Sequence, residues 1–157
     1  MVGNTSATTE RQLGQLLAPY LSDPSNAFVI SSDFAHWGLR FHYTYYRPSP
    51  SDTAVNLRSS SRAPNDPEIH ESIKAVDFEC MGACESGKSA EWLEVLRETG
   101  NTVCGRHPIG VVMAGLEALE DKQEGAGRFR FVRYERSSEV KKVGESSVSY
   151  CSAFAVL

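Results

Sequence analysis

The sequence predicts an α/β fold, a sheet with flanking helices, on three observations. Apolar residues recur at helical spacing in three long segments, a short continuous apolar run follows the first, and a later segment alternates like a strand. In order along the chain, residues 9–21 place Leu13, Leu16, Leu17, Tyr20 and Leu21 on one side of a helix. Asp23-Pro24-Ser25-Asn26 stops it. Residues 27–31 (Ala-Phe-Val-Ile-Ser) read as a strand buried on both faces. Residues 48–66 are rich in Ser, Pro, Asn and Asp and form a surface loop. Pro67 opens a helix over 68–85 that turns Ile69, Ile73, Val76, Cys80 and Cys84 inward. A short helix over 89–99 buries Trp92, Leu93 and Leu96, and Gly100 caps it. Pro108 stands in the first turn of a helix with the stripe Ile109, Val112, Met113, Leu116 and Leu119, closed by Gly125-Ala126-Gly127. Residues 128–135 alternate with Phe129 and Phe131 on one face, and 147–157 read as an interior strand.

Bulk properties narrow the function. A length of 157 residues implies one domain over 1–157. Sixteen Lys and Arg against twenty Asp and Glu leave a net charge of -4, which argues against nucleic-acid binding. The longest nearly apolar run, 109–116, falls far short of the roughly 20 residues that span a bilayer. The polar start lacks a secretory pattern, so a cytoplasmic address with reduced thiols is expected for Cys80, Cys84, Cys104 and Cys151. No zinc-finger spacing, phosphate loop, HExxH or GxSxG occurs.

Two stretches carry chemistry. Ser31-Ser32-Asp33-Phe34-Ala35-His36-Trp37-Gly38 sets a carboxylate and an imidazole three residues apart after a predicted strand, where α/β proteins build pockets. The pair suits a metal ligand, acid or base; equally, Asp33 caps a turn and His36 hydrogen-bonds to it. Asn101-Thr102-Val103-Cys104-Gly105-Arg106-His107-Pro108 sets a cysteine just ahead of a helix, where backbone N–H groups and Arg106 favour a thiolate. Such a thiolate is a nucleophile or a soft metal ligand; the structural alternative is a small residue buried in a tight turn.

These two strings, with Asp23-Pro24-Ser25-Asn26, Ile109-Gly110 and Ser146-Ser147-Val148-Ser149-Tyr150, resemble the Memo family in content and order. The resemblance implies a fold similar to the class III extradiol dioxygenases, which are non-haem iron enzymes, and a pocket able to take iron or copper. It implies that Cys104 matches a metal-ligating cysteine, His36 a pocket histidine and Asp33 a pocket carboxylate. Family members are about twice as long, and two further ligating histidines lie ahead of the matching region. His42, His70 and His107 do not match them, so the site in this chain is expected to be incomplete. The resemblance also implies a redox role and cell-motility signalling.

Three functions follow. The first is a non-haem metal-dependent oxidoreductase of dioxygenase type, which is short of histidines here. The second is a Memo-like module with a vestigial metal and redox pocket, or a signalling scaffold that binds a protein or phosphopeptide. The third is a truncated or split-gene product without function. Robust catalysis is not expected, no catalytic residue is assigned, and an uncovered apolar sheet edge is expected to drive self-association, require a partner or leave the chain marginally stable.

Overall fold

The computed structural model describes residues 3–119 and 127–157. The fold is mixed α/β with antiparallel pairing. Helix α1 spans Ala7–Leu21, and Ser6 caps it by accepting a hydrogen bond from the Thr9 N–H. Two short strands follow, β1 (His36–Trp37) and β2 (Tyr45–Tyr46), and then β3 (Val55–Asn56). Three helices come next: α2 (Ile69–Glu85), α3 (Ser89–Thr99) and α4 (Arg106–Glu117). The chain closes with β4 (Arg130–Arg136) and β5 (Ser147–Phe154). One sheet runs β1-β5-β4, while β2 and β3 form a separate pair.

Helix α2 buries the five apolar residues its periodicity selects, and α3 runs over the expected 89–99 with Gly100 as its cap. Of three clusters of buried side chains among the described residues, one joins Leu21 to Val112 and Leu116, and two lie on either side of the 34–37 segment. Phe34 enters one with Cys80, Trp92, Val103 and Met113. Ala35 and Trp37 enter the other with Tyr43, Ile69 and Val140. The segment that carries Asp33 and His36 is therefore held from both sides by burial, the dominant stabilising term.

Three sequence expectations are corrected. Helix α1 buries Gly14, Ala18 and Leu21, whereas Leu16 and Tyr20 are 69% and 60% exposed. The reason is backbone contact with α4: a Cβ on Gly14 would stand 2.6 Å from the Gly115 nitrogen and 2.7 Å from the Val111 oxygen. Small residues let two helices approach in a way that apolar periodicity does not report. Residues 27–31 form no strand. Among the described residues, 27–32 make no backbone–backbone hydrogen bond, and the chain first meets β5 at Phe34, whose N–H donates to the Ser149 carbonyl ahead of the β1–β5 pairing. Lacking a ladder partner, Val29 is 96% exposed. The last strand is interior only at its start, where β1 and β4 flank it; beyond Ser149 it is an edge paired with β4 alone. Residues 48–66 are mostly exposed but include β3 and the buried Leu57. The expected helix stop at Gly125-Ala126 lies outside the described residues; α4 ends at Glu117.

Candidate functional site

The two chemical stretches meet face to face. The Cys104 N–H donates to the Asp33 carbonyl at 3.2 Å, and the Asp33 N–H points at Cys104 Sγ at 3.1 Å. Beside this pair the Gly105 N–H donates to Ser32 Oγ at 2.9 Å. Only a residue without a side chain fits there, since a Cβ on Gly105 would lie 2.4 Å from the Ser32 Cβ. Cys104 itself sits two residues ahead of the first residue of α4 and is exposed.

His36 is clamped from below. Its N–H donates to Thr102 Oγ1 at 2.8 Å, and the same hydroxyl donates to the His36 carbonyl at 3.2 Å. Nδ1 lies 3.0 Å from the Phe34 carbonyl and 3.1 Å from the Thr102 carbonyl. Carbonyl oxygens only accept, so Nδ1 carries the proton and the neutral ring presents the Nε2 lone pair. Nε2 stands 4.0 Å from Asp33 Oδ2. One donor atom each from Asp33, His36 and Cys104 falls within 4.8 Å of the others, a spacing that can enclose one metal ion. The structure thus brings together all three residues singled out from the sequence.

The remaining histidines are elsewhere. His107 is occupied at both nitrogens: Nδ1 faces Glu10 Oε1 at 2.6 Å, and Arg106 Nε donates to Nε2 at 3.2 Å. His70 is buried, with Nδ1 against the Val140 carbonyl and Nε2 near Glu71, and His42 is exposed in a left-handed turn. A cavity of about 600 Å³ is also separate from the three donor side chains. It is apolar, lies between residues 27–30 and the end of the chain, and touches the site's neighbourhood only through Ser32 and Phe34.

Thr102 and Asp77 were not singled out from the sequence. Thr102 stands inside the quoted string, yet its clamp on His36 depends on a long-range approach. Asp77 had a readable signal: it lies four residues after Ile73 and three before Cys80, on the buried stripe of α2. Fully buried, it accepts hydrogen bonds from the Ala35 N–H, Asn101 Nδ2 and the Tyr134 hydroxyl. Burial pushes its carboxyl above the usual range, against the pull of those bonds and of Ser149. A raised folded-state value means stability that is full below the unfolded value of about 3.9 and declines as pH rises through the folded one. Asp77→Asn is therefore expected to gain stability relative to the natural chain between about pH 4 and pH 7. Urea denaturation at both pH values checks this, and a pH-independent difference would contradict it.

Thiol environments separate sharply. Burial pushes Cys80 and Cys151 up to about 12 and raises Cys84 as well. Cys104 alone is exposed. It is expected to alkylate first in the folded protein, by at least about tenfold given how thiolate access governs rate. Peptide mapping after timed iodoacetamide exposure reads the order, and faster labelling at any other cysteine would refute it.

Comparison with known proteins places the chain in a family. A sequence model described as Memo-like protein matches residues 1–154. The chain is 40% identical over 157 residues to the MEMO1 family protein C4H3.04c of Schizosaccharomyces pombe, covering 99% of this chain and 50% of that protein. It is 38% identical to Protein MEMO1 of Danio rerio, covering 100% of this chain and 47% of the relative. With the MEMO1 family protein MHO1 of Saccharomyces cerevisiae the identity is 33%, over 100% of this chain and 51% of the relative. The chain spans about half the length of these relatives. On the family match over nearly its whole length, this chain belongs to the Memo family.

Proposed function

We propose that Asp33, His36 and Cys104 hold one transition-metal ion, iron or copper, in a Memo-like redox pocket, and that this chain alone is not a robust catalyst. The observation that carries the reading is the 4.8 Å grouping of a sulfur, an imidazole nitrogen and a carboxylate oxygen. The donor set fits: sulfur and imidazole suit copper, and imidazole with carboxylate suits iron. The Nδ1–H tautomer supports it further, because it leaves Nε2 free to ligate. Such an ion would supply one-electron chemistry. Three protein ligands leave coordination positions for solvent, a substrate or further ligands from another polypeptide segment. Four unpaired thiols suit a reducing compartment such as the cytoplasm, and none of the described helices is long and apolar enough to cross a membrane. Anaerobic titration with Fe(II) and with Cu(I) tests the reading. Saturation by one equivalent of either ion is expected, and no saturable binding by both would refute it.

A second reading, a partner-binding or scaffold module such as one in cell-motility signalling, is favoured by the uncovered apolar surface. Phe28, Val29, Phe154, Val156 and Leu157 are 41–96% exposed and line the same apolar cavity. Contiguous apolar surface of this kind marks association sites. Concentration-dependent self-association is expected in sedimentation velocity and should weaken in Val29→Asp. A monomer at all concentrations, or an unaltered Val29→Asp, would count against this surface as the contact.

A further inference from the structure

The buried carboxylate of Asp77 and the imidazole of His36 share one peptide group. Asp77 Oδ1 accepts from the Ala35 N–H at 3.2 Å. The carbonyl of that same peptide unit, on Phe34, accepts from His36 Nδ1 at 3.0 Å. Because the peptide is planar and conjugated, pulling on its N–H raises the acceptor strength of its oxygen. We propose that Asp77 is a positioning residue for the site, acting on His36 through the Phe34–Ala35 peptide to fix the Nδ1–H tautomer and strengthen Nε2 as a donor. This rests on the metal reading above only for the purpose of the stronger donor; the tautomer is a property of the metal-free chain.

Three observations support the relay over a purely structural role. The fully buried Asp77 carboxyl faces the Ala35 N–H and uncharged donors: Asn101, Tyr134 and Ser149 surround the rest of it. Its charge is therefore not neutralised by an ion pair among the described residues, so its field acts on the neighbouring dipoles. Second, Asp77 also holds Asn101, the residue before the Thr102 clamp, so one carboxyl ties both strings behind the site. Third, a direct carboxylate partner on Nδ1 is a common way to orient a ligating histidine. Here the position is taken by a carbonyl, and the carboxylate stands one peptide further back.

The test is ¹⁵N NMR of the metal-free protein at alkaline pH, with His36 assigned by His36→Gln, together with Zn²⁺ affinity. The natural chain is expected to show Nδ1 protonated and Nε2 bare. Asp77→Asn keeps an acceptor for the Ala35 N–H but removes the charge. It should move the Nδ1–H proton signal upfield and lower Zn²⁺ affinity by about tenfold, the lower end of what loss of a supporting partner costs. Tyr134→Phe disturbs the far side of the same carboxyl and should leave the Nδ1–H signal in place. An Nε2–H tautomer in the natural chain overturns the proposal even if no variant folds. So does an unmoved signal in a folded Asp77→Asn, or an equal change in Tyr134→Phe, which would point to general loosening. Absence of Zn²⁺ binding would count against the three-ligand reading, to be decided by the Fe(II) and Cu(I) titrations, while the spectra still decide the relay.

Discussion

Trp92→Ala is expected to lower the unfolding free energy by about 3–5 kcal/mol, the range for truncating a buried Trp. Trp92 is fully buried in the cluster with Phe34, Val103, Ile109 and Met113, and its Nε1–H donates to the Arg106 carbonyl at 3.1 Å. It therefore joins α3 to the first turn of α4, the turn that follows Cys104. Against a typical total of roughly 5–15 kcal/mol, the loss takes the fold close to its limit. Urea denaturation followed by circular dichroism measures it. A change below about 1 kcal/mol would mean that the cavity collapses at little cost, contrary to close packing around this ring.

The second large effect concerns the ion. Cys104→Ala and His36→Ala are each expected to weaken metal binding by on the order of 100-fold or more, because each removes a donor atom outright. Thr102→Val keeps every donor but removes the hydroxyl clamp on His36, and a loss nearer tenfold is expected. Competition titration against a chelator ranks the three. Equal affinities for the natural chain and Cys104→Ala would remove the sulfur from the site.

The candidate site was more legible than the surface around it. Asp33, His36 and Cys104 were readable because each stands in a short string whose local chemistry is visible without the fold. Their meeting depends on Gly105 and Ser32, whose close approach no local pattern announces. Helices α2 and α3 are legible because apolar residues at helical spacing mark the sides they bury, Ile69, Ile73, Val76, Cys80 and Cys84 on α2 and Trp92 on α3. Helix α1 was legible as a helix but not in its facing, because Gly14 and Ala18 bury backbone while Leu16 and Tyr20 stay outside. The 27–31 run has the composition of a strand, yet a strand exists only where another backbone completes its ladder, and β5 meets this segment from Phe34 onward. Asp77 reads as one acidic residue among several on α2, although it shares the buried side of the helix with Ile73 and Cys80, where a carboxyl needs the partners it finds.

The central claim is that one sulfur, one imidazole and one carboxylate of this chain surround a single ion. X-ray absorption at the zinc edge of the Zn²⁺-loaded protein tests it most directly. The account predicts one sulfur neighbour at about 2.3 Å with the remaining nitrogen and oxygen neighbours at about 2.0–2.2 Å. The sulfur contribution should vanish in Cys104→Ala. A spectrum with no sulfur in the natural chain, or the same sulfur signal in the variant, would contradict it.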